Sequence, residues 1–187
     1  MITNGRIALR GLSNLTLAPV AKNDDWEYEA GEQFALPGVR RIEMEQDITR
    51  QTLHADDQVY LDLFEYHGTR VSIVLAELGL DLLVKMGFGK NEDDGSVTWI
   101  PQGMRNQFCL SFACKQDNEE YRMHRMFVFT IDEIMETSLS SIGDGNTAFY
   151  EIEGTFVRRN ADGKVAQMKD GPDLAWLEQG PGVVADL

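Results

Sequence analysis

A histidine and two aspartates, His54, Asp56 and Asp57, lie close together in the stretch LHADDQVYLDLF at residues 53–64. Imidazole and carboxylate groups can bind a divalent cation, but a catalytic zinc needs about three protein ligands that converge, and nothing in the sequence makes these three converge. Aspartate side chains also hydrogen-bond their own backbone in turns. Because the flanking sequence has an extended pattern, we expect residues 55–58 to form the tip of a long hairpin and not a metal site.

Other groups that could do chemistry carry no catalytic motif. The acid-rich stretch NEDDG at residues 91–95 lacks the alternating acids, central glycine and terminal glutamate of a calcium loop, so we expect a solvated turn there. His54, His67 and His124 lie in separate segments, and no HExxH, GxSxG or GxxxxGK accompanies them. A serine, a histidine and an acid could still meet in space. The sequence nevertheless favours a protein that is not an enzyme and needs no cofactor.

Composition restricts the partners further. The 187 residues include 17 basic and 31 acidic side chains, a formal net charge of -14 that repels nucleic-acid phosphates and disfavours sequence-specific DNA binding. We find neither a secretory signal nor a run near the ~20 apolar residues of a membrane span, so we expect a chain made in the cytoplasm with no membrane partner. We expect residues 1–187 to form one domain.

Alternating apolar and polar residues predict β-strands in several places. The segments are 12–21, 41–49, 69–78, 107–115, 121–130 and 150–159. We expect 107–115 and 121–130 to pair as a hairpin, with Tyr121, Met123, Phe127 and Phe129 on one face. We expect a second hairpin to follow residues 150–159 through the turn NADGK and to end near Met168.

The two cysteines, Cys109 and Cys114, have an odd spacing within one predicted strand and should therefore point to opposite faces, which makes a bridge between them improbable. Zinc is improbable too, since no second cysteine pair is present. In contrast to the strands, LGLDLLVKMGFG has helical spacing, with Asp81 early, Lys85 late and Gly87 or Gly89 to end it. Strands with one helix predict a mainly β (α+β) fold, an antiparallel sandwich or flattened barrel with a flanking helix.

Several stretches together resemble the major tail proteins of long-tailed bacteriophages. They are GLSNLTLAPV, FALPGVRRIEMEQD, TLHADDQVYLD, LGLDLLVKMGFG and YEIEGTFVRR followed by NADGK, and they span roughly residues 11–168. The resemblance implies a β-sandwich with a flanking helix and a long hairpin, a tail-tube fold. It also implies a structural virion protein whose hexameric rings stack into the tube through which DNA is ejected.

The implied partners are those of a tail. They are further copies of the chain, the tail initiator or baseplate, the tail terminator, the tape-measure protein inside the tube, and viral DNA in transit. The implied location is the tail of the virion, after synthesis in the host cytoplasm. Residues 1–10 and 169–187 are candidates for an N-terminal and a C-terminal arm.

The resemblance places the long hairpin at residues 41–66, where it lines the tube and reaches the neighbouring ring. The candidate contacts between rings or subunits are His54, Asp56, Asp57, Val59, Leu61, Leu63, Trp176 and Leu177. The candidate acidic residues of the lumen are Glu43, Glu45, Asp47 and Asp62. For Trp176 and Leu177 the alternative is packing on their own subunit.

Two other functions are compatible with the same patterns. One is the tube protein of a contractile tail or of a related secretion apparatus, because these share a ring-forming sandwich. The other is a small β-sandwich that binds a ligand or calcium through its Asp-rich loops.

Overall fold

Strands dominate the computed structural model, which describes residues 11–55, 58–100, 106–116, 120–139, 147–181 and 183–185. The strands are β1 Leu12–Asn23, β2 Glu27–Ala30, β3 Phe34–Ala35, β4 Val39–Ala55, β5 Gln58–Leu75, β6 Gly89–Asn91, β7 Val97–Trp99, β8 Gln107–Lys115, β9 Tyr121–Leu139, β10 Thr147–Val157, β11 Ala166–Gly171 and β12 Val183–Ala185. The helices are α1 Leu80–Met86 and the short α2 Ala175–Glu178.

The strands form one curled antiparallel sheet in the order β12-β2-β1-β8-β9-β10-β5-β4. β3 pairs with β1, β11 pairs with β9, and β6 with β7 makes a separate hairpin. The prediction of a mainly β antiparallel fold with a flanking helix is confirmed.

The main core fills one face of this sheet. Four isoleucines align across β4, β5, β10 and β9, since Ile42 pairs with Ile73, Ile73 with Ile152, and Ile152 with Ile134. Branched side chains in register fit a pleated, buried surface well. This row is the centre of the larger apolar cluster of the described residues, which we call the main core.

Helix α1 closes part of the main core through Leu82, Leu83 and Met86, all buried. It ends where expected, because Gly87 adopts φ 86°, the left-handed conformation that glycine takes without strain, and donates its N–H to carbonyls of the last turn. The predicted helix is therefore confirmed, and Gly87 is the glycine that ends it.

A short connection joins the two sides of the curled sheet. The Leu36 N–H donates to the Leu15 carbonyl at 2.9 Å, and the Ala76 N–H donates to the Gly38 carbonyl at 2.8 Å. Leu36 is buried in the main core. The link between β3 and β4 thus crosses from β1 to the end of β5 and covers one end of the core.

Strand β8 and the part of β9 from Met123 to Phe129 are buried on both faces. Phe108, Leu110, Phe112 and Cys114 belong to the main core. Cys109 belongs to a second cluster on the outer face, the face turned away from the main core; its other buried members are Ala18, Tyr28, Phe127 and Val128. The two free cysteines therefore lie on opposite faces, as predicted.

The predicted face of β9 is wrong at one position. Tyr121, Met123 and Phe127 pack on the outer face, but Phe129 lies in the main core. Phe129 pairs with Phe108 whereas Met126 pairs with Leu110, so β9 has one residue more than β8 in this interval. Such a bulge reverses the alternation of side chains.

The predicted hairpin after residue 159 is also wrong. The turn is present, with Gly163 at φ 68°. However, β11 pairs with β9 from Met126 to Tyr121, and β10 pairs with the later part of the same strand. Strands β10 and β11 pair one after the other along the same side of β9, because the 19-residue β9 is long enough for both partners. Residues 158–165 form the loop that connects β10 to β11.

Candidate assembly interface

The hairpin β4–β5 extends past the sheet that carries it. Strand β5 pairs with β10 over residues 69–75, whereas its pairing with β4 continues to Ala55 and Gln58. Residues 47–55 and 58–68 therefore form a ribbon of two strands, with no third strand beside it in the described part of the chain. A two-stranded ribbon is marginally stable alone and leaves apolar side chains uncovered.

The core-side face of β4 carries apolar side chains beyond the main core, Met44 in the last part of the sheet and Ile48 in the ribbon, with Gln46 between them. Met44 is 38% exposed and Ile48 is 48% exposed. Tyr66 pairs with Ile48 and is half-buried, with its hydroxyl 2.8 Å from the Thr69 hydroxyl and the Arg158 guanidinium 5.6 Å from its ring centre. We call Met44, Ile48 and Tyr66 the apolar strip. It continues the core onto a surface that the described part of the chain leaves partly uncovered.

Strand β4 is also the last strand of the sheet. Its outer side has no strand partner among the described residues along the 17 residues from Val39 to Ala55. A long open edge presents unpaired N–H and C=O groups to any other strand, and soluble proteins usually protect such edges. This edge is therefore a surface suited to pairing with another chain.

The outer face of β4, β5, β10 and β9 is acidic. Its carboxylates include Glu43, Glu45, Asp47, Asp132, Glu133, Glu151 and Glu153, and they share a face because their cross-strand partners align. Arg41 and Arg70 lie among them, and the ion pairs Arg41–Glu43 at 3.3 Å and Arg70–Asp47 at 3.8 Å are exposed. We call this surface the acidic face.

A bulge in β9 increases the acidity of this face. Glu153 pairs with Glu133 and Gly154 pairs with Ile131, so Asp132 is the extra residue. Ile131 and Ile134 both remain in the main core, and the two acids between them therefore both turn outward. The Thr155 hydroxyl donates to Asp132 at 2.9 Å. Directly opposed like charges such as Glu133 and Glu153 destabilise a strand pair.

The structure brings three of the predicted lumen residues together. Glu43, Glu45 and Asp47 lie on the acidic face and are exposed. Asp132, Glu133, Glu151 and Glu153 were not predicted for this surface. The alternation of β10 does place Glu151 and Glu153 on its polar side, but only the strand register shows that they join β4 across β5.

The predicted contact residues of the hairpin are only partly described. His54 lies in β4, and Val59, Leu61, Asp62 and Leu63 lie in β5, with His54 paired to Val59. Their side chains are outside the described part of the structure, and so are the whole of Asp56 and Asp57. The long hairpin itself is present, and the roles of these residues stay predictions.

The C-terminal candidates lie against their own chain. Leu177 is 4% exposed and packs with Ala113 and Met123 on the outer face. The Trp176 ring lies 4.2 Å from the Arg125 guanidinium, which also donates to the Trp176 carbonyl at 2.8 Å. This is the packing considered as the alternative; contact of these residues with a neighbour stays a prediction.

A buried arginine holds the loop between β10 and β11, residues 158–165, against the outer face. Arg159 is 2% exposed, pairs with the Asp162 carboxylate and lies 3.9 Å from the Phe127 ring centre. The hydrogen bond from Arg159 lowers the pKa of Asp162. Burial raises the pKa of Cys109 to about 11, so this thiol stays protonated at neutral pH. These contacts stabilise the fold.

The described histidines lie apart. His124 stacks on Phe112 with ring centres 4.7 Å apart, and burial lowers its pKa, which favours the neutral imidazole. His67 lies on the ribbon with Nε2 2.9 Å from the Thr49 hydroxyl. In the part of the chain that the structure describes, no group of three or more His, Cys, Asp or Glu converges on a metal position.

The acid-rich stretch at residues 91–95 is a turn, as predicted. It connects β6 and β7, and the Asp94 carboxylate accepts hydrogen bonds from the Ser96 hydroxyl at 2.6 Å and the Ser96 N–H at 2.9 Å. The hydrogen bonds from Ser96 lower the pKa of Asp94. This is the local bonding by which aspartate stabilises a turn.

No helix within the described ranges is both long and apolar enough to cross a membrane.

No family model matches the chain, and no curated protein is similar to it. One solved structure to which it is similar is a chain of the anti-feeding prophage baseplate, determined by cryo-EM and 6-fold symmetrised. The TM-score is 0.42 and the identity 6%, over 92% of this chain and 100% of that chain. Similarity at this level does not establish a function.

Proposed function

We propose that this chain is a structural, non-enzymatic subunit of a bacteriophage tail. Copies assemble into hexameric rings, and the rings stack into the tube that conducts DNA. The observation that carries the proposal is the β4–β5 ribbon, which has a partly uncovered apolar strip and a free edge on the same element. The resemblance of the sequence to major tail proteins agrees with this reading.

The apolar strip supports contact with a neighbouring subunit. Met44 and Ile48 lie on the same face of β4 as Ile42, which packs against the main core, yet both are partly exposed. Met44 lies where the ribbon leaves the sheet, and Ile48 lies in the ribbon. Covering them with apolar side chains of a second copy removes this surface from water, which is the main favourable contribution to association. The ribbon is thus stabilised by assembly more than by its own subunit.

The free edge of β4 supports a ring. Pairing of the β4 edge with a different surface of the next copy is a heterologous contact. Such contacts leave one surface unpaired at each end of a row of subunits unless the row closes into a ring. A ring satisfies every edge, whereas an isolated subunit leaves β4 open. Further rings can then stack through the protruding ribbon.

The acidic face supports a conduit for DNA. Its carboxylates share one sheet surface and are exposed except for the half-buried Glu151, and the opposed pair Glu133 and Glu153 costs stability in the free subunit. Facing a lumen, they repel phosphates and keep DNA from adhering, with a range of roughly 10 Å at moderate salt. In this proposal the tape-measure protein and then DNA occupy the lumen. An initiator or baseplate and a terminator bind the two ends of the tube in the virion.

The test is assembly of the purified protein. A concentration series is followed by sedimentation and negative-stain electron microscopy, with and without short fragments of authentic tails as seeds. The proposal predicts rings and tubes with a central channel that lengthen from the seeds. A chain that stays monomeric at high concentration and adds to no seed contradicts it.

A further inference from the structure

The C-terminal segment forms the last strand at the end of the sheet opposite β4. It covers β2, a strand of four residues that is next to last at this end. Strand β12 pairs with it antiparallel, Val183 with Glu29, Val184 with Tyr28 and Ala185 with Glu27. Without β12, the outer N–H and C=O groups of β2 would lack a strand partner, as those of β4 do among the residues that the structure describes.

The segment before β12 is anchored more firmly than β12 itself. Helix α2 is held by the buried Leu177, by the ring contact between Trp176 and Arg125, and by the hydrogen bond from Arg125 to the Trp176 carbonyl. Gly180 follows with φ 69°, a left-handed conformation that ends this segment before Pro181. β12 is therefore a three-residue strand that follows a fixed anchor closely in the sequence.

Backbone pairing over three residues is easy to replace. It supplies only a few hydrogen bonds, and each makes a small net contribution because water competes for the same groups. A longer strand that offers the same pairing, and more side-chain contact, displaces a short one by strand addition. The 17-residue β4 of a second copy has such an unpaired edge.

We propose that β12 is a displaceable edge strand, which closes β2 in the free subunit and yields it to β4 of a second copy during assembly. This inference rests on the tube function proposed above and concerns how the start of polymerisation is controlled. Charge favours this occupant at the start of β4, where Arg40 and Arg41 are exposed and Glu29 on β2 is a carboxylate that they can pair with. In the free subunit Arg41 pairs with Glu43 of its own strand, so the contact exchanges one exposed ion pair for another. The free subunit then stays monomeric until a seed or a high concentration of subunits competes with β12.

A reversible cross-link tests the displacement. The variant Glu29→Cys with Val183→Cys places two cysteines at directly paired positions, where a disulfide fixes β12 on β2. The matched control is Lys90→Cys with Thr98→Cys, an exposed pair in the separate β6–β7 hairpin. The oxidised β12 variant is expected not to polymerise at about ten times the threshold concentration of its own reduced form, which lacks Glu29 equally. The control is expected to polymerise at the same threshold in both states. Polymerisation of the oxidised β12 variant at the threshold of its reduced form overturns the inference.

Removal of the strand gives the opposite effect. A chain that ends at Pro181 keeps α2 and loses β12, so β4 of a second copy no longer has to displace β12 from β2. Loss of about two backbone hydrogen bonds to β12 is expected to lower the polymerisation threshold about tenfold. An unchanged or raised threshold counts against displacement. If the wild type itself never polymerises with seeds, the tube function fails; if it polymerises and β12 has no influence, only this inference fails.

A charge exchange identifies the occupant. Arg41→Glu is expected to raise the threshold, and the second change Glu29→Arg in the same chain is expected to restore it towards the wild-type value. A double variant that polymerises no better than Arg41→Glu alone refutes pairing between β4 and β2.

Discussion

Replacing Ile48 by threonine should weaken assembly and leave the subunit folded. Ile48 is 48% exposed in the free subunit, so a neighbour that covers it buries about half of its side chain. Full burial of an isoleucine contributes about 1.5–3 kcal/mol, and half of that is about 1 kcal/mol. Since 1.4 kcal/mol is tenfold in an equilibrium constant, the polymerisation threshold should rise about fivefold.

The free subunit should be little affected by this change. Threonine keeps the β-branch that suits a strand, and the position is half solvated, so the free energy of unfolding should change by about 0.5 kcal/mol or less. Thermal unfolding checks the subunit, and sedimentation over a concentration series gives the threshold.

The control is Met168→Thr, since Met168 is 69% exposed on β11 and lies outside the apolar strip. It should leave the threshold unchanged. An Ile48→Thr variant that polymerises at the wild-type threshold, or a control that shifts it equally, refutes the assignment of the apolar strip to a contact.

Three further changes test other parts of the structure. Gly154→Ala should lower the temperature midpoint of unfolding measured by circular dichroism, because a Cβ there would collide with the Phe129 ring and the Thr130 carbonyl. Overpacking of this kind costs about 1–3 kcal/mol of folding free energy. Asp162→Asn should destabilise the subunit by roughly 3 kcal/mol, because it leaves Arg159 buried without its carboxylate. The lowered pKa of Asp162 means that its contribution is fully present above the ordinary pKa near 4 and is lost progressively as the pH falls from there towards the lowered pKa, so acid titrations of the two proteins should converge only well below pH 4. Glu153→Gln should make assembly less dependent on salt, measured as the threshold between low and moderate ionic strength, because it removes one of two opposed charges.

Local patterns predicted the elements well. The alternation at residues 107–115 reproduces β8, and the helical spacing with Gly87 reproduces the end of α1. Both features depend on residues a few positions apart, whose side chains determine the face and the end of an element. The Asp-Gly pair at residues 162–163 likewise predicted the turn that the structure shows there.

What could not be predicted depends on pairing between distant segments. The turn at Gly163 does not reveal that β11 returns to β9, because the same turn suits a hairpin. The bulge beside Phe127 reverses a face without any glycine or proline to mark it. The acidic face required the register of four strands, and the bulge that turns both Asp132 and Glu133 outward is a property of packing around Ile131 and Ile134.

A cryo-EM reconstruction of the assembled polymer tests the central claim most directly. The account predicts six-subunit rings with the acidic face, including Glu43 and Glu153, lining an open channel, and the β4–β5 ribbon of each subunit in contact with a neighbour. A polymer without a channel, or one whose acidic face points outward while the ribbon stays in solvent, would contradict it.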